Sequence, residues 1–411
     1  GDAERALAAM KDASRYTRGH LSRDAVRALY GGAVTLSASR MDMARSCHFA
    51  YFMRYGLKAR ERTGAGFDAP QIGTFVHDVM EHTLRQAKEC GGLHTLSKDK
   101  LHALVRASIE EYIDRVLPDL CEKSARFRYL FNRLCATVER IMDEVSEELQ
   151  SSDFEPLAFE LEFGADGQLP AITIREENGT ARVVGKVDRV DGWLHDGKLY
   201  LRVVDYKTGK KSFDLAELRY GLGLQMLLYL FTLKEEGQML FGGHEIVPAG
   251  VLYTPAREPM LRCARDTEPE KIEKALKKEL RRSGMVLEDP AVLQAMEHSA
   301  LESPCYLPIA VKRDGAVTGS LASAEQLGKL SKYVDHILHE ITQEVFAGNI
   351  DADPYARTPQ QSACTYCEFA SACHFENGCG SDRMEYIKAT KNDEFWQYID
   401  EVNGEGAHEN G

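Results

Sequence analysis

Residues 185–211 read GKVDRVDGWLHDGKLYLRVVDYKTGKK, and they decide the fold class. Two runs of β-branched and aromatic residues flank Asp196-Gly197, a dipeptide that favours a tight turn, so the stretch reads as two paired strands. Side chains repeat with period two along a strand, which puts Asp205 and Lys207 on one side of the second strand. Pairing of the two strands lets Asp188 approach Asp205. Two carboxylates beside a lysine suit a hard cation: Mg²⁺ (or Mn²⁺) takes oxygen ligands, and Asp188, Asp205, the Tyr206 carbonyl and waters supply them. Such an ion polarises a phosphodiester and lowers the pKa of a bound water, while Lys207 positions that water or offsets developing charge. The same residues also suit a plain strand end closed by a salt bridge, so their context decides.

Upstream, GTFVHDVME (73–81) places His77 and Glu81 four residues apart on one helix face, with His77 available as a further metal ligand. Downstream, Gln225 and Tyr229 in QMLLY share a helix face and suit contacts to a phosphate or to the lysine. As an ordered set, G-x-x-x-H, G-[KR]-x-D-R-x-D, V-V-D-Y-K-T-G and Q-x-x-x-Y resemble the PD-(D/E)XK nucleases of the RecB type, over about residues 35–373. The resemblance implies an α/β fold with a central mixed sheet flanked by helices. It implies that His77, Asp188, Asp205 and the Tyr206 carbonyl hold the metal, that Lys207 assists hydrolysis, and that Gln225 and Tyr229 complete the site.

Ten cysteines in 411 residues are too sparse for a disulfide scaffold. Cys364, Cys367 and Cys373 form C-x2-C-x5-C, three soft ligands that need a fourth. Spacing leaves two candidates, nearby Cys379 and distant Cys47, and two metals, zinc or a [4Fe-4S] cluster. One cysteine ahead of the nuclease motifs and three behind them resembles the iron–sulfur staple of the AddB family of bacterial ATP-dependent helicase/nucleases. The stretch SASRMDMARSCHFAYFMRYGL (37–57) is similar to that family's surroundings of its first ligand. The resemblance assigns Cys47, Cys364, Cys367 and Cys373 to a [4Fe-4S] cluster, which then closes a loop of more than three hundred residues. Cys90, Cys121, Cys135, Cys263 and Cys305 read as small buried hydrophobes.

The composition describes a soluble globular protein. Hydrophobic residues make up 44%, enough for a sizeable core, and a net charge of −13 excludes a bulk polycation that coats nucleic acid. Local basic stretches at 126–133, 207–211 and 271–282 remain. No apolar run approaches the ~20 residues that span a bilayer and the start lacks a secretory signal, so a cytoplasmic protein without membrane contact is expected. The abrupt start suggests a fragment.

Helical periodicity covers 72–84, 101–116 and 127–149. Strands are expected at 157–163, 171–175, 182–190, 199–205 and 246–253, a helix at 222–235, and turns at 164–167 and 195–197. A helical insertion follows, with helices at 268–282 and 290–297 interrupted at Gly284, and a strand at 306–312. A long helix at 322–347 precedes a breaker-rich loop at 351–359, and the chain after Ile399 reads as disordered. These readings give a lead-in (1–34), a nuclease core (35–265) with a helical subregion (69–150), an insertion or lobe (266–321), a helix with the cysteine segment (322–380) and a tail (381–411).

Two motif-like stretches do not hold. TGKKS at 208–212 lacks the first glycine and the Ser/Thr register of a phosphate loop, so no ATPase site is readable, and 77–82 has the wrong spacing for a zinc protease. The resemblance implies an exonuclease acting on single-stranded DNA threaded from a duplex end, by analogy the 5′-terminated strand, in recombinational repair beside an AddA-like helicase–nuclease partner. Two alternatives are a CRISPR-associated iron–sulfur nuclease, against which the length argues, and a non-catalytic DNA-holding module, against which the intact His77, Asp188, Asp205 and Lys207 argue.

Overall fold

The structure is a computed structural model that describes residues 1–13, 17–60, 69–164 and 167–404. Helices α1 (Asp2–Ala13) and α2 (Arg23–Tyr30), strand β1 (Ala33–Leu36), and helices α3 (Ala38–Ser46) and α4 (His48–Tyr51) lead into three long helices. These are α5 (Ala69–Glu89), α6 (Lys98–Val116) and α7 (Ala125–Gln150). Ser97 and Ser124 start α6 and α7 by accepting the backbone N–H of Lys100 and Phe127, groups that have no partner inside the helix.

Five strands follow: β2 (Glu155–Phe163), β3 (Ile172–Glu176), β4 (Gly179–Val183), β5 (Gly185–His195) and β6 (Lys198–Lys207). Then come α8 (Leu215–Arg219), α9 (Gln225–Glu236), β7 (Glu245–Pro255), α10 (Pro269–Glu279), β8 (Ser283–Leu287), α11 (Pro290–Met296), β9 (Ile309–Val311), β10 (Val317–Gly319) and β11 (Leu321–Ala322). The C-terminal part holds α12 (Ala324–Ala347), β12 (Tyr355–Thr358), β13 (Gln361–Ser362), α13 (Ala370–Cys373), β14 (Glu385–Tyr386) and α14 (Asn392–Val402).

The central sheet has the order β11-β8-β7-β6-β5-β2 and is mixed, with β6 parallel to β7, β11 parallel to β8 and the other pairs antiparallel. Its middle strands are buried over long runs, as strands covered on both faces are. Helix α9 is buried from Met226 to Leu233 between the sheet and α12. Helix α7 covers the face that carries Arg202, which its Glu148 meets. At the outer edge, Arg85 and Lys88 of α5 donate to the Phe159 and Leu157 carbonyls of β2, occupying acceptors that an open edge offers to another chain. The expected α/β fold with a mixed sheet flanked by helices is thus present.

Four local expectations change. The single strand expected at 182–190 is two strands in different sheets, since β4 pairs with β1 and β3 while β5 enters the central sheet. The crossing falls at Gly185, where a Cβ would lie 2.5 Å from the rings of Phe163 and Tyr229. The break read at Gly284 lies inside β8, and a Cβ there would sit 1.9 Å from the Val251 carbonyl oxygen of β7, so glycine permits the strands to pair. The loop at 351–359 contains β12, which pairs with β13 and β14. Helix α14 continues through Ile399 to Val402, and residues 405–411 of the expected disordered tail lie outside the described residues. Residues 165–166 of the expected turn at 164–167 also lie outside them. No helix among the described residues is long and apolar enough to cross a membrane.

Candidate active site

Strands β5 and β6 pair from His195 opposite Lys198 to Arg189 opposite Val204, so one further step sets Asp188 across from Asp205. The ladder stops there. The Tyr206 N–H turns to a side chain and donates to Asp188 Oδ2 over 2.8 Å. Its carbonyl oxygen lies 2.8 Å from His77 Nε2, and His77 Nδ1 lies 3.3 Å from Asp188 Oδ2. Lys207 Nζ stands 2.7 Å from Asp205 Oδ2, but that oxygen makes no well-directed hydrogen bond although it is buried. His77, Asp188, Asp205, Tyr206 and Lys207 therefore meet at one point, at the ends of β5 and β6 below α5.

Electrostatics at this point favour a cation. Burial and then the charge of Asp188 push the Asp205 carboxyl up to about 6, against the pull of Lys207. Burial alone would lower His77, but its bond to Asp188, that carboxylate's charge and the charge of Asp205 carry it up to about 9. A site that draws protons onto a carboxyl and an imidazole together is short of positive charge. Among the described residues, His77, Glu160 and Asp188 form the one group of three whose ligating atoms lie within 4.8 Å of one another.

Glu160 is the residue that sequence reading missed. It lies on β2 opposite Asp188, by the register that pairs Phe159 with Arg189 and Leu161 with Val187, and its carboxylate pairs with Lys186. Its backbone takes a left-handed φ of 49°, uncommon for glutamate. Strand alternation in FELEF offers Glu160 and Glu162 equally, and nothing local selects the first.

The PD-(D/E)XK nuclease superfamily model matches residues 35–374. The chain belongs to this superfamily. It is similar to the B subunits of the ATP-dependent helicase/deoxyribonucleases of Acetivibrio thermocellus (33% identity over 383 residues) and of Thermoanaerobacter sp. (31% over 386 residues). These alignments cover 92% and 93% of this chain but 33% of each relative, so the chain spans about one third of the length of the curated relatives it matches.

PD-(D/E)XK nucleases generally use divalent metals. The residues present fit one: a cluster of carboxylates, an imidazole and a backbone carbonyl, with a buried Asp205 oxygen still lacking a hydrogen bond. Gln225 and Tyr229 stand beside this group rather than in it. They bond to each other, Gln225 Nε2 donating to the Tyr229 hydroxyl over 3.2 Å, and line an open groove of about 590 Å³ with Lys186, Ser37 and Ser39.

A second cavity, of about 650 Å³, is lined by Cys47, Cys364, Cys367 and Cys373 together. Cys379 does not line it and is exposed. Burial pushes the Cys47 thiol up to about 12, so it ionises at neutral pH only with a cation at hand. The surroundings are tied together by charged hydrogen bonds. His48 is fixed by Asp353 (Nδ1 to Oδ2, 2.6 Å) and Glu344 (3.3 Å), and Arg18 clamps the cysteine loop through Asp382 and the Cys373 carbonyl. Of the other five cysteines, Cys90, Cys121 and Cys263 are exposed, against expectation, Cys305 is half-buried, and Cys135, also half-buried, packs against the core. Cys90 follows directly after α5 and Cys121 lies in a short connection between α6 and α7, positions at which a small apolar residue has no core to join.

Proposed function

We propose that this chain is the nuclease part of a helicase–nuclease subunit, hydrolysing phosphodiesters of single-stranded DNA with Mg²⁺ or Mn²⁺. The observation that carries the reading is the meeting of His77, Asp188, Asp205, the Tyr206 carbonyl and Lys207 at one strand end. Residues 35–265 carry the chemistry, and residues 322–380 with Cys47 carry a [4Fe-4S] cluster.

When bound, the divalent ion supplies Lewis-acid polarisation of the phosphate and a water of lowered pKa. His77, Asp188, Asp205 and the Tyr206 carbonyl would hold it. Lys207, kept in place by Asp205, orients the attacking water and offsets charge on the phosphoryl oxygens. Gln225 and Tyr229, at the groove beside the site, hold the neighbouring backbone of the strand.

The cysteine cavity supports a cluster better than one zinc ion. Zinc holds thiolates about 2.3 Å from itself, which crowds them together. The four thiols line one cavity of about 650 Å³, room for a cluster rather than for a single ion. A cluster there ties Cys47 to the far end of the chain.

The similarity to the B subunits of helicase/deoxyribonucleases extends the proposal to the whole protein: partnership with an AddA-like helicase–nuclease subunit, cutting of the 5′-terminated strand at double-strand ends, and work in the cytoplasm. The test is shortening of 5′- and 3′-labelled single-stranded DNA by the purified chain with Mg²⁺ or EDTA. Cutting that needs the metal supports the reading; no cutting with or without the AddA-like partner contradicts it.

A further inference from the structure

Beneath the candidate metal site lies a cluster of buried charge that hydrolysis itself does not use. Arg189, Asp191 and Arg202 are wholly buried, and Glu148 and Arg282 nearly so. Arg189 Nη2 donates to Asp191 Oδ2 over 2.9 Å, Arg202 Nε donates to the same oxygen over 2.8 Å, and Arg282 donates to Glu148. Arg189 Nη1 donates to the Tyr206 hydroxyl over 2.6 Å.

This arrangement is poor if stability is its purpose. Three guanidinium groups face two carboxylates, Arg202 Nη1 and Nη2 have no hydrogen-bond partner, and Arg189 Nε and Asp191 Oδ1 lie 2.8 Å apart without alignment. Buried ion networks with incomplete hydrogen bonding give up in desolvation much of what they gain by attraction, and apolar residues of similar volume often serve the fold as well. Their use has to lie in what they hold.

What they hold is Tyr206. Alternation along β6 sends Arg202, Val204 and Tyr206 to one face of the sheet and Asp205 and Lys207 to the other. The Tyr206 side chain is thus gripped from behind, while its N–H orients Asp188 and its carbonyl faces His77 in front. On that side the backbone of Tyr206 lacks a ladder partner, because the β5–β6 pairing ends at Val204. β6 stays paired with β7 through Tyr206 and Lys207 on its other side, so the grip on the hydroxyl replaces the constraint that β5 no longer supplies on this one.

We infer that the Arg189–Asp191–Arg202–Glu148–Arg282 network is a positioning device: it fixes Tyr206 through its hydroxyl so that the Tyr206 carbonyl and Asp188 present a preformed face to the metal. The inference rests on the metal-site reading above. Tyr206 acts through its backbone, and its hydroxyl touches no reacting atom.

The test is Mn²⁺ binding to the 411-residue chain, read from the electron paramagnetic signal of free Mn²⁺, with thermal unfolding beside it. Tyr206→Phe keeps the ring and removes the grip. It is expected to weaken Mn²⁺ binding about tenfold, the low end of what loss of a residue supporting metal ligands costs, and to recover nuclease activity when Mn²⁺ is raised by the same factor. Leu330→Ala, a cavity in α12 away from the site, is the control for lost stability and should lower Tm while leaving the Mn²⁺ affinity unchanged. Wild-type affinity in Tyr206→Phe overturns the inference, as does a loss no greater than that of Leu330→Ala. Wild-type protein that binds no Mn²⁺ overturns the metal-site reading and the inference together.

Discussion

The N–H of Tyr206 donates to Asp188 Oδ2 over 2.8 Å, which joins the ends of two strands where their ladder has stopped and sets one carboxylate against the next. Asp188→Asn keeps an acceptor for that N–H and removes the charge. Phosphodiester hydrolysis should fall at least about 10²-fold. Because the charge of Asp188 is one of the two causes that raise Asp205, the Asp205 carboxyl of the metal-free variant should titrate lower than in the wild type. Carboxyl titration followed by nuclear magnetic resonance in EDTA checks it; an unchanged Asp205 midpoint would contradict the repulsion.

The pH dependence of the metal-free fold follows from the same pair. Asp205 is raised to about 6 from the ordinary carboxylate range, so it favours the fold while protonated and this contribution is lost as pH rises through about 6. Divalent metal replaces the proton. Wild-type Tm should therefore respond to Mn²⁺ strongly at pH 7.5 and weakly at pH 5, whereas Asp205→Asn should lose most of the response. Equal responses at both pH values would rule out Asp205 as a ligand.

Loss of the proposed cluster should be separable from loss of the proposed nuclease site. Cys47→Ala should abolish the broad visible absorption of anaerobically purified protein and make the chain easier to proteolyse, because the tie between its ends is gone. Cys379→Ala should leave the spectrum intact, since Cys379 is exposed and outside the cavity. Bleaching by Cys379→Ala with Cys47→Ala unaffected would place the metal in a local loop instead.

Glu148 gives the acid limit. Burial alone would raise its pKa, but Arg282, Arg202 and Arg189 hold it at about 2. Its contribution is complete above the unfolded-state value and is lost as pH falls toward 2. Glu148→Gln leaves buried guanidinium groups without their counter-charge and should cost about 3–5 kcal/mol in urea unfolding at pH 7. The deficit should shrink as pH is lowered; a deficit constant from pH 7 to pH 3 would remove Glu148 from the network.

Much of the candidate site was legible because it is local. The turn at Asp196-Gly197 fixes the pairing of β5 with β6, and that pairing alone brings Asp188 to Asp205. His77 was legible only through motif order, since its approach to Tyr206 depends on how α5 crosses the sheet. Glu160 was not legible, because its neighbour Asp188 is set by the register of β2 on β5, which no turn fixes. The same holds for β8: the three apolar residues after Gly284 match a helix or a strand equally, and only the close approach of Val251 to Gly284 decides. Glu148 and Arg282 gave no signal at all as partners of β5 and β6, since long-range packing of α7 brings them there.

The proposed chemistry is cutting of DNA at this strand end by Lys207 and a divalent metal. The most direct measurement is hydrolysis of end-labelled single-stranded DNA by the wild-type chain and by Lys207→Ala, each with Mg²⁺ and with EDTA, after matching their unfolding curves. Cutting is expected from the wild type with Mg²⁺ only, with a loss of about 10²–10³-fold or more in the folded mutant. Undiminished cutting by Lys207→Ala would contradict it.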